Sequence, residues 1–126
     1  MVSGIGVDIC GIERVKKAVT SSNHFREEIF SPEEISYCEA KGERRYESYA
    51  GGFAAREAFC KASGTELIKV MLGKNFAVIH NSDGVPSIRL TGELAMPSSK
   101  IFLSISHEKD YAVAMVVIEK EGDIAR

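Results

Sequence analysis

The chain has 126 residues, a formal net charge of −2, 44% hydrophobic residues and 27% charged residues. This length corresponds to one domain with one core, and the composition excludes a mainly disordered, collagen-like or coiled-coil protein. The near-neutral charge also lacks the basic excess that a general nucleic-acid binder carries.

The sequence carries no signal for a membrane or for export. No apolar stretch approaches the roughly 20 residues of a membrane helix, and residues 1–5 lack the basic and apolar regions of a secretory signal. The three cysteines, Cys10, Cys38 and Cys60, are odd in number and widely spaced, which fits neither a disulfide framework nor a zinc site. We therefore expect a cytoplasmic protein whose cysteines are reduced.

The first predicted element is a strand with two unlike faces. Residues 4–10 alternate with period two, which is typical of a half-buried strand. One face is aliphatic and is expected to be the buried one: Ile5, Val7 and Ile9. The other face carries two glycines and then Asp8. Glycine inside a strand marks close approach of a ligand or of another backbone, so we expect free space around Asp8.

Helices are predicted for the rest of the first half. Ile12, Val15 and Val19 recur at helical spacing, and a polar break follows over residues 20–23. A second helix begins at Ser31, because Pro32 follows it and Glu34 completes a capping box. That helix ends near Lys41 or continues after a kink.

A third, alanine-rich helix is predicted over residues 49–64, with Gly64 as its stop signal. Phe53, Glu57 and Lys61 are four residues apart and therefore share one stripe of this helix. The stripe combines an aromatic residue with charges of both signs.

The second half of the chain predicts strands. Residues 74–80 and 85–90 form a hairpin around the turn at 81–84, and residues 101–106 and 111–118 form a second pair around the turn at 107–110. The polar tail, 119–126, is expected to fray. The sequence thus predicts a single α+β domain over residues 1–126, with helices packed on an antiparallel sheet.

Two carboxylates, Asp8 and Glu57, are candidates for a metal site. Each sits beside glycine or alanine, and together they could hold a hard cation such as Mg²⁺, which keeps waters and substrate phosphates as its other ligands. The alternative is that Asp8 caps a turn while Glu57 pairs with Lys61 on the helix surface. Spacing alone favours this alternative.

Three more positions allow a functional or a plain interpretation. Lys61 is either a surface ion-pair partner or a cation that neutralises a reacting phosphate. His107, after Ser106 at a strand end, binds a phosphate or is an ordinary turn residue. Arg14 and Lys17 give the first helix a basic face, which is either solvated or a docking surface.

Four segments carry a family resemblance: GIGVD (4–8) with Glu13-Arg14 after it, FSPEE (30–34), GGFAAREAFCKASGT (51–65), and SISH (104–107) with YAVA (111–114). In order, spacing and chain length they resemble the holo-(acyl-carrier-protein) synthase family, the small bacterial phosphopantetheinyl transferases. The likeness runs from Met1 to about Glu119.

The resemblance implies an activity. Such enzymes use Mg²⁺ to move the phosphopantetheine arm of coenzyme A onto a serine of an apo acyl carrier protein in fatty acid biosynthesis. Adenosine 3',5'-bisphosphate leaves. The resemblance further implies the phosphopantetheinyl transferase fold and a homotrimer with active sites between subunits, in which a neighbour supplies part of the nucleotide pocket. It implies no nucleic-acid or membrane partner.

The resemblance also assigns roles to residues. Asp8 and Glu57 match the family's metal ligands, and Lys61 matches the lysine near the phosphates, so these three form the catalytic set. The general base is either a metal-bound water or a carboxylate that acts through water. It is not assigned to Glu34, because the capping box accounts for that residue.

The remaining matches concern ligand and partner. Ser106 and His107 match the loop that holds the nucleotide half of coenzyme A, and Gly64 would let the backbone approach the ligand. Arg14, with Lys17 on the same helix, matches the surface that meets the acidic carrier protein.

Four positions depart from the family pattern: Gly52, Arg56, Glu66 and Glu108. We expect them to alter details of coenzyme A binding and leave the metal pair intact. They also motivate an alternative function, a non-catalytic module of the same fold that binds coenzyme A or a carrier protein. A structural oligomer without any site is the third interpretation.

Overall fold

The computed structural model describes residues 1–121. These residues form five strands and five α-helices, with single 3₁₀ turns at Gly42–Arg44 and Gly92–Leu94. The elements in chain order are β1 (Val2–Gly11), α1 (Ile12–Ser21), α2 (Asn23–Ile29), α3 (Pro32–Glu39), α4 (Arg45–Ser63), α5 (Leu67–Leu72), β2 (Phe76–His80), β3 (Pro86–Leu90), β4 (Ser99–His107) and β5 (Tyr111–Lys120).

The strands make two antiparallel sheets. The larger sheet has the order β1-β5-β4, so the last strand of the chain lies in its centre, and β2 and β3 form a separate hairpin. In the larger sheet Asp8 pairs with Ala114 and His107 pairs with Ala112. The helices and both sheets share one hydrophobic core, which confirms the predicted α+β class.

The strand β1 buries the face that the sequence analysis expected to be open. The aliphatic residues Ile5, Val7 and Ile9 are 53–62% exposed in this chain, whereas the glycine face packs on α4. A Cβ atom on Gly4 would lie 2.0 Å from the carbonyl oxygen of Ala62, and one on Gly6 would lie 2.1 Å from that of Ala58. The expected burial of the aliphatic face is therefore wrong for the single chain, because the glycines admit a helix backbone.

The predicted helix boundaries hold where capping chemistry marks them. Ser31 and Glu34 form the reciprocal capping box, with Glu34 N–H donating to Ser31 Oγ at 3.1 Å and Ser31 N–H donating to Glu34 Oε1 at 2.9 Å. Gly64 ends α4 in the left-handed conformation, with φ of 77°, as its position predicted. The 3₁₀ turn Gly42–Arg44 separates α3 from α4.

Two short helices were not predicted. The stretch interpreted as a polar break contains the N-cap of α2, because the Ser22 hydroxyl accepts hydrogen bonds from the N–H groups of His24 and Phe25. The six-residue helix α5 falls in a region that the sequence analysis assigned to strands. Helices this short are stabilised by tertiary packing more than by their own periodicity.

The end of the chain is ordered further than expected. Glu119 and Lys120 belong to β5, and the backbone N–H of Glu121 donates to Ser98 at 2.9 Å. The rest of the expected tail, 122–126, lies outside the described residues. Among the described helices, none combines the length and apolar character needed to cross a bilayer.

The cysteines are free thiols. Burial raises the pKa of Cys10 and of Cys60 to about 11, and that of Cys38 to about 12. Because the thiolate is the reactive form, these thiols are poor nucleophiles and serve packing.

An ion pair inside the core ties α4 to α3. Arg56 is fully buried and donates from both terminal nitrogens to Glu34, at 2.9 and 2.7 Å. Its guanidinium lies between the rings of Phe30 and Phe76, at 4.9 and 5.0 Å. Glu34 also accepts from Val78 N–H. Burial alone would raise the pKa of Glu34, but the hydrogen bonds and charge of Arg56 hold it below its usual value.

This pair yields a stability prediction. Glu34→Gln should lower the free energy of unfolding by about 3 kcal/mol, because it leaves the Arg56 charge buried without a counter-charge. The measurement is urea unfolding followed by circular dichroism at fixed protein concentration. Glu33→Gln is the matched control, since Glu33 pairs with Arg89 on the surface at 2.9 Å, a kind of contact worth at most about 1 kcal/mol. Equal losses for the two variants would contradict this account of the core.

The contact between β1 and α4 yields a second prediction. Gly6→Ala should destabilise the protein by about 2 kcal/mol, since the new methyl group meets helix backbone that cannot move without displacing α4. Gly11→Ala on the same strand is the control, because its Cβ would find Arg14 at 3.9 Å, an ordinary contact. Thermal unfolding of both variants measures the difference. If the Gly6→Ala protein is as stable as the Gly11→Ala protein, α4 can move to accommodate the added methyl group at little cost in stability.

Candidate active site

The packing of α4 on β1 brings Asp8 and Glu57 together. Asp8 lies on the inward face of β1, and its side chain is only 12% exposed. Glu57 lies on the fourth turn of α4. Burial, followed by the charge of Asp8 and a hydrogen bond to it, raises the pKa of Glu57. The two carboxyl groups, 49 positions apart in the sequence, therefore form one acidic pair.

Lys61 belongs to the same cluster. Its ammonium group donates to Asp8 Oδ1 at 3.2 Å and to the carbonyl oxygen of Val7 at 3.0 Å. The sequence left open an ordinary helix-surface pair with Glu57, but the salt bridge of Lys61 is to Asp8. The lysine side chain is 58% exposed, so its amine can also reach a ligand in solvent.

The acidic pair fits a hard cation that is only partly held by protein. Among residues 1–121, no group of three or more His, Cys, Asp or Glu side chains is placed to hold a metal. A closed structural zinc site needs four such ligands, whereas Mg²⁺ is commonly held by one or two carboxylates together with substrate phosphates and water. Burial and then the charge of Asp8 raise the pKa of Glu57, and a bound cation would favour the ionised form of this carboxyl group.

A basic surface borders the acidic pair. Arg14 and Lys17 are exposed on α1, three residues apart and therefore on one face. The charge of Arg14 acts to lower the pKa of Glu57, which places the guanidinium within electrostatic range of the pair. A ligand at the acidic pair would thus lie next to a positively charged surface.

The end of α4 opens a cleft beyond Lys61. A Cβ atom added to Gly64 would have no neighbour within 4 Å, so the backbone there is open to a ligand. The cleft has a volume of about 350 Å³ and runs between this helix end and the second 3₁₀ turn. Glu66, one of the departures from the family pattern, lines it beside Lys69, with their charged atoms 3.9 Å apart. The negative charge of Glu66 is therefore partly balanced by Lys69.

The structure places His107 beside the N-terminal end of α4, whereas the acidic pair lies nearer the other end. Its Nε2 atom lies 3.1 Å from Glu47 Oε2, in the first turn of that helix. Glu47 and Glu57 are ten residues apart, or about 15 Å along the helix axis at 1.5 Å per residue. One chain thus keeps His107 apart from the acidic pair. Ser106, its neighbour on β4, alternates to the outer, exposed face of the sheet.

His107 lines a second cleft, of about 230 Å³, that the sequence analysis did not find. Lys41 and Arg44 also line this cleft, next to the 3₁₀ turn. His80 stacks on Tyr37 there, with ring centroids 3.8 Å apart, and burial followed by the charge of Lys41 lowers its pKa. The charged run at residues 43–45 was the available sequence signal for this cleft. Only the tertiary fold, however, brings that run close to the end of β4.

The other departures from the family pattern do not share one location. Arg56 is fully buried and pairs with Glu34, so this departure lies in the core. Gly52 is buried, and a Cβ atom there would lie 3.3 Å from the Phe30 ring. Glu108 is exposed in the β4–β5 turn, where its N–H donates to Tyr111.

Comparison with known proteins identifies the arrangement. Residues 4–116 match the family model described as the 4'-phosphopantetheinyl transferase superfamily. The holo-(acyl-carrier-protein) synthase of Geobacillus kaustophilus is 40% identical over 125 residues, covering 97% of this chain and 92% of the relative. That of Thermodesulfovibrio yellowstonii is 41% identical over 119 residues, covering 94% and 99%.

Solved structures agree with these relatives. The Bacillus anthracis holo-(acyl-carrier-protein) synthase in complex with CoA (3',5'-ADP) has a TM-score of 0.80 and 36% identity, covering 95% of this chain and 98% of that one. The Helicobacter pylori enzyme in complex with coenzyme A has a TM-score of 0.72 and 33% identity, covering 91% and 99%. The chain therefore belongs to the 4'-phosphopantetheinyl transferase superfamily and, within it, to the holo-(acyl-carrier-protein) synthases, a family of transferases.

Proposed function

We propose that this protein transfers the phosphopantetheine arm of coenzyme A to a serine of an apo acyl carrier protein, in a Mg²⁺-dependent reaction of cytoplasmic fatty acid biosynthesis. The serine oxygen forms a bond to the phosphorus of the arm, the bond to adenosine 3',5'-bisphosphate breaks, and the serine gives up its proton. The observation that carries the proposal is the acidic pair, Asp8 and Glu57, with Lys61 beside it.

The cluster suits phosphoryl transfer, which depends on positioning and on neutralisation of charge. Asp8 and Glu57 would hold Mg²⁺, which supplies positive charge to the diphosphate of coenzyme A when bound. Lys61 is the mobile member, because its exposed amine can leave Asp8 and donate to an oxygen of the transferred phosphate. Its positive charge then counts most when negative charge grows in the transition state.

The basic face of α1 is suited to the second substrate. Arg14 and Lys17 are exposed next to the acidic pair. A carrier protein with an acidic surface would meet complementary charge there, which favours encounter and orientation. Docking on this helix would bring the acceptor serine to the side of the cluster where Lys61 is exposed.

The separation of His107 from the acidic pair along α4 supports a shared active site. In one chain, His107 lies beside the first turn of α4, whereas Glu57 lies about 15 Å further along the helix axis. Coenzyme A would reach both kinds of residue if the nucleotide half were held by His107 and Ser106 of one subunit, while the diphosphate lay against Asp8, Glu57 and the Gly64 backbone of the next. A homotrimer provides such an arrangement.

The outer face of the large sheet provides the surface for this assembly. It carries exposed apolar side chains on all three strands: Ile5, Val7, Ile9, Phe102, Tyr111 and Met115. Val7 and Met115 are direct cross-strand neighbours at its middle. An apolar patch of this kind is typical of a surface that a partner covers.

The metal assignment yields a prediction about turnover. Asp8→Asn and Glu57→Gln should each lower kcat for transfer by at least about a hundredfold, since charge stabilisation at a reacting phosphate is worth factors of this size. The assay incubates protein, coenzyme A, Mg²⁺ and apo carrier protein and follows the carrier mass by mass spectrometry. Glu33→Gln, which removes an exposed acid of α3, is the control.

Titration calorimetry separates the outcomes of that experiment. Wild-type protein should bind Mg²⁺ with coenzyme A present, and both variants should lose that metal binding while still unfolding cooperatively. Full activity in both variants would overturn the metal assignment. Coenzyme A binding by wild type without any gain in carrier mass would instead support the non-catalytic binding module.

The shared-site arrangement yields a prediction about assembly. Met115→Lys should convert a trimer to monomers in light scattering and abolish transfer, because a charge in the middle of the apolar face cannot be buried unpaired. Ile68→Lys is the control, since Ile68 is as exposed but lies on α5. Mixed trimers of Asp8→Asn and His107→Ala chains should regain activity. If no mixture regains activity, each active site lies within one subunit.

A further inference from the structure

Glu47 occupies an unexpected position for an acid. One carboxylate oxygen, Oε2, lies 3.1 Å from His107 Nε2 and 3.7 Å from Arg44 Nε. The three residues come from different elements: the first turn of α4, the end of β4 and the first 3₁₀ turn. The same cleft also includes Lys41. A carboxylate thus sits among the basic groups of a cleft that would receive an anion.

By charge alone, Glu47 would oppose the binding of an anionic ligand. Its geometry indicates a different effect. The contact with His107 is at hydrogen-bond distance, and a partner on one ring nitrogen fixes both the ring orientation and the position of its proton. With Nε2–H donating to Glu47, Nδ1 is the nitrogen left for a ligand. The longer contact to Arg44, whose side chain is mostly exposed, adds little stability by itself.

We propose that Glu47 is a positioning residue for coenzyme A, which holds the His107 ring in the orientation that binds the nucleotide half and keeps Arg44 nearby. The inference rests on the proposed function, because it assumes that His107 contacts that ligand. Glu47 does not touch the reacting atoms. It acts through His107, so its loss weakens binding of coenzyme A without slowing the transfer step.

Two variants distinguish positioning from simple repulsion. Glu47→Ala removes both the charge and the acceptor, whereas Glu47→Gln removes the charge and keeps an acceptor for Nε2–H. Positioning predicts that Glu47→Ala raises KM for coenzyme A about tenfold, the size expected for a lost charge-assisted hydrogen bond. It predicts an unchanged kcat and a value for Glu47→Gln closer to wild type. Repulsion predicts that both variants lower KM.

The surface pair of Glu28 and His24 is the matched control. His24 Nε2 and Glu28 Oε2 lie 2.8 Å apart on α2, and both side chains are exposed. Glu28→Ala removes the same kind of carboxylate–imidazole contact and the same charge, and it should leave KM for coenzyme A unchanged.

A spectroscopic readout keeps the test independent of turnover. Proton–nitrogen correlation spectra of the histidine rings should show His107 with its proton on Nε2 in wild type and a mixture of tautomers in Glu47→Ala. A lowered or unchanged KM in Glu47→Ala, or an unaltered His107 spectrum, would overturn the inference. Failure of the wild-type protein to bind coenzyme A would overturn the proposed function instead, so the two failures are distinguishable.

Discussion

The close approach of a helix backbone to a strand governs this molecule. Gly4 and Gly6 allow α4 to lie against β1 at a distance that no side chain on those residues would permit. Asp8, the next inward position, then has Glu57 and Lys61 as neighbours. Two regular elements thus hold the acidic pair, which makes its geometry more rigid than one built on loops.

The same helix is fixed on its other side by the buried ion pair. Arg56 donates to Glu34 on α3, to the carbonyl oxygen of Ile29 at the end of α2 and to that of Phe76 on β2. One guanidinium therefore connects α4 to three other elements. A buried ion pair is weak evidence for stability as such, because desolvation offsets much of its attraction. Its several hydrogen bonds, however, allow only one placement of α4, so the position of Glu57 is set from both sides.

The sequence predicted the features that local chemistry determines. The capping box at Ser31 and the left-handed end of α4 at Gly64 follow from side-chain and backbone preferences, and both were found where expected. The resemblance selected Asp8, Glu57 and Lys61, which the structure brings into one cluster. Sequence spacing alone did not select these residues, because it favoured an ordinary ion pair between Glu57 and Lys61 on the helix surface.

Features that depend on what packs against an element were less predictable. Period-two alternation identified β1 as a strand but assigned the wrong buried face, because alternation does not show whether side chains or a helix backbone will cover the glycines. The short helices α2 and α5 have too few turns to show a helical period. Glu47 and Lys41 meet His107 only through the tertiary fold, so no spacing in the sequence could connect them.

The exposed apolar face and the divided site both favour association of chains. Because α4 covers the glycine face of the sheet, the aliphatic side chains of β1 must point outward, where a single chain cannot bury them. Because His107 and Glu57 lie about 15 Å apart along α4, the two parts of the proposed site are separate in a single chain. Association through the outer face of the sheet would bury the exposed apolar side chains. It would also bring His107 of one chain to the acidic pair of the next. Covering apolar surface and completing a site would then be one event, and a chain too small to enclose coenzyme A alone would gain a binding cleft from its neighbour.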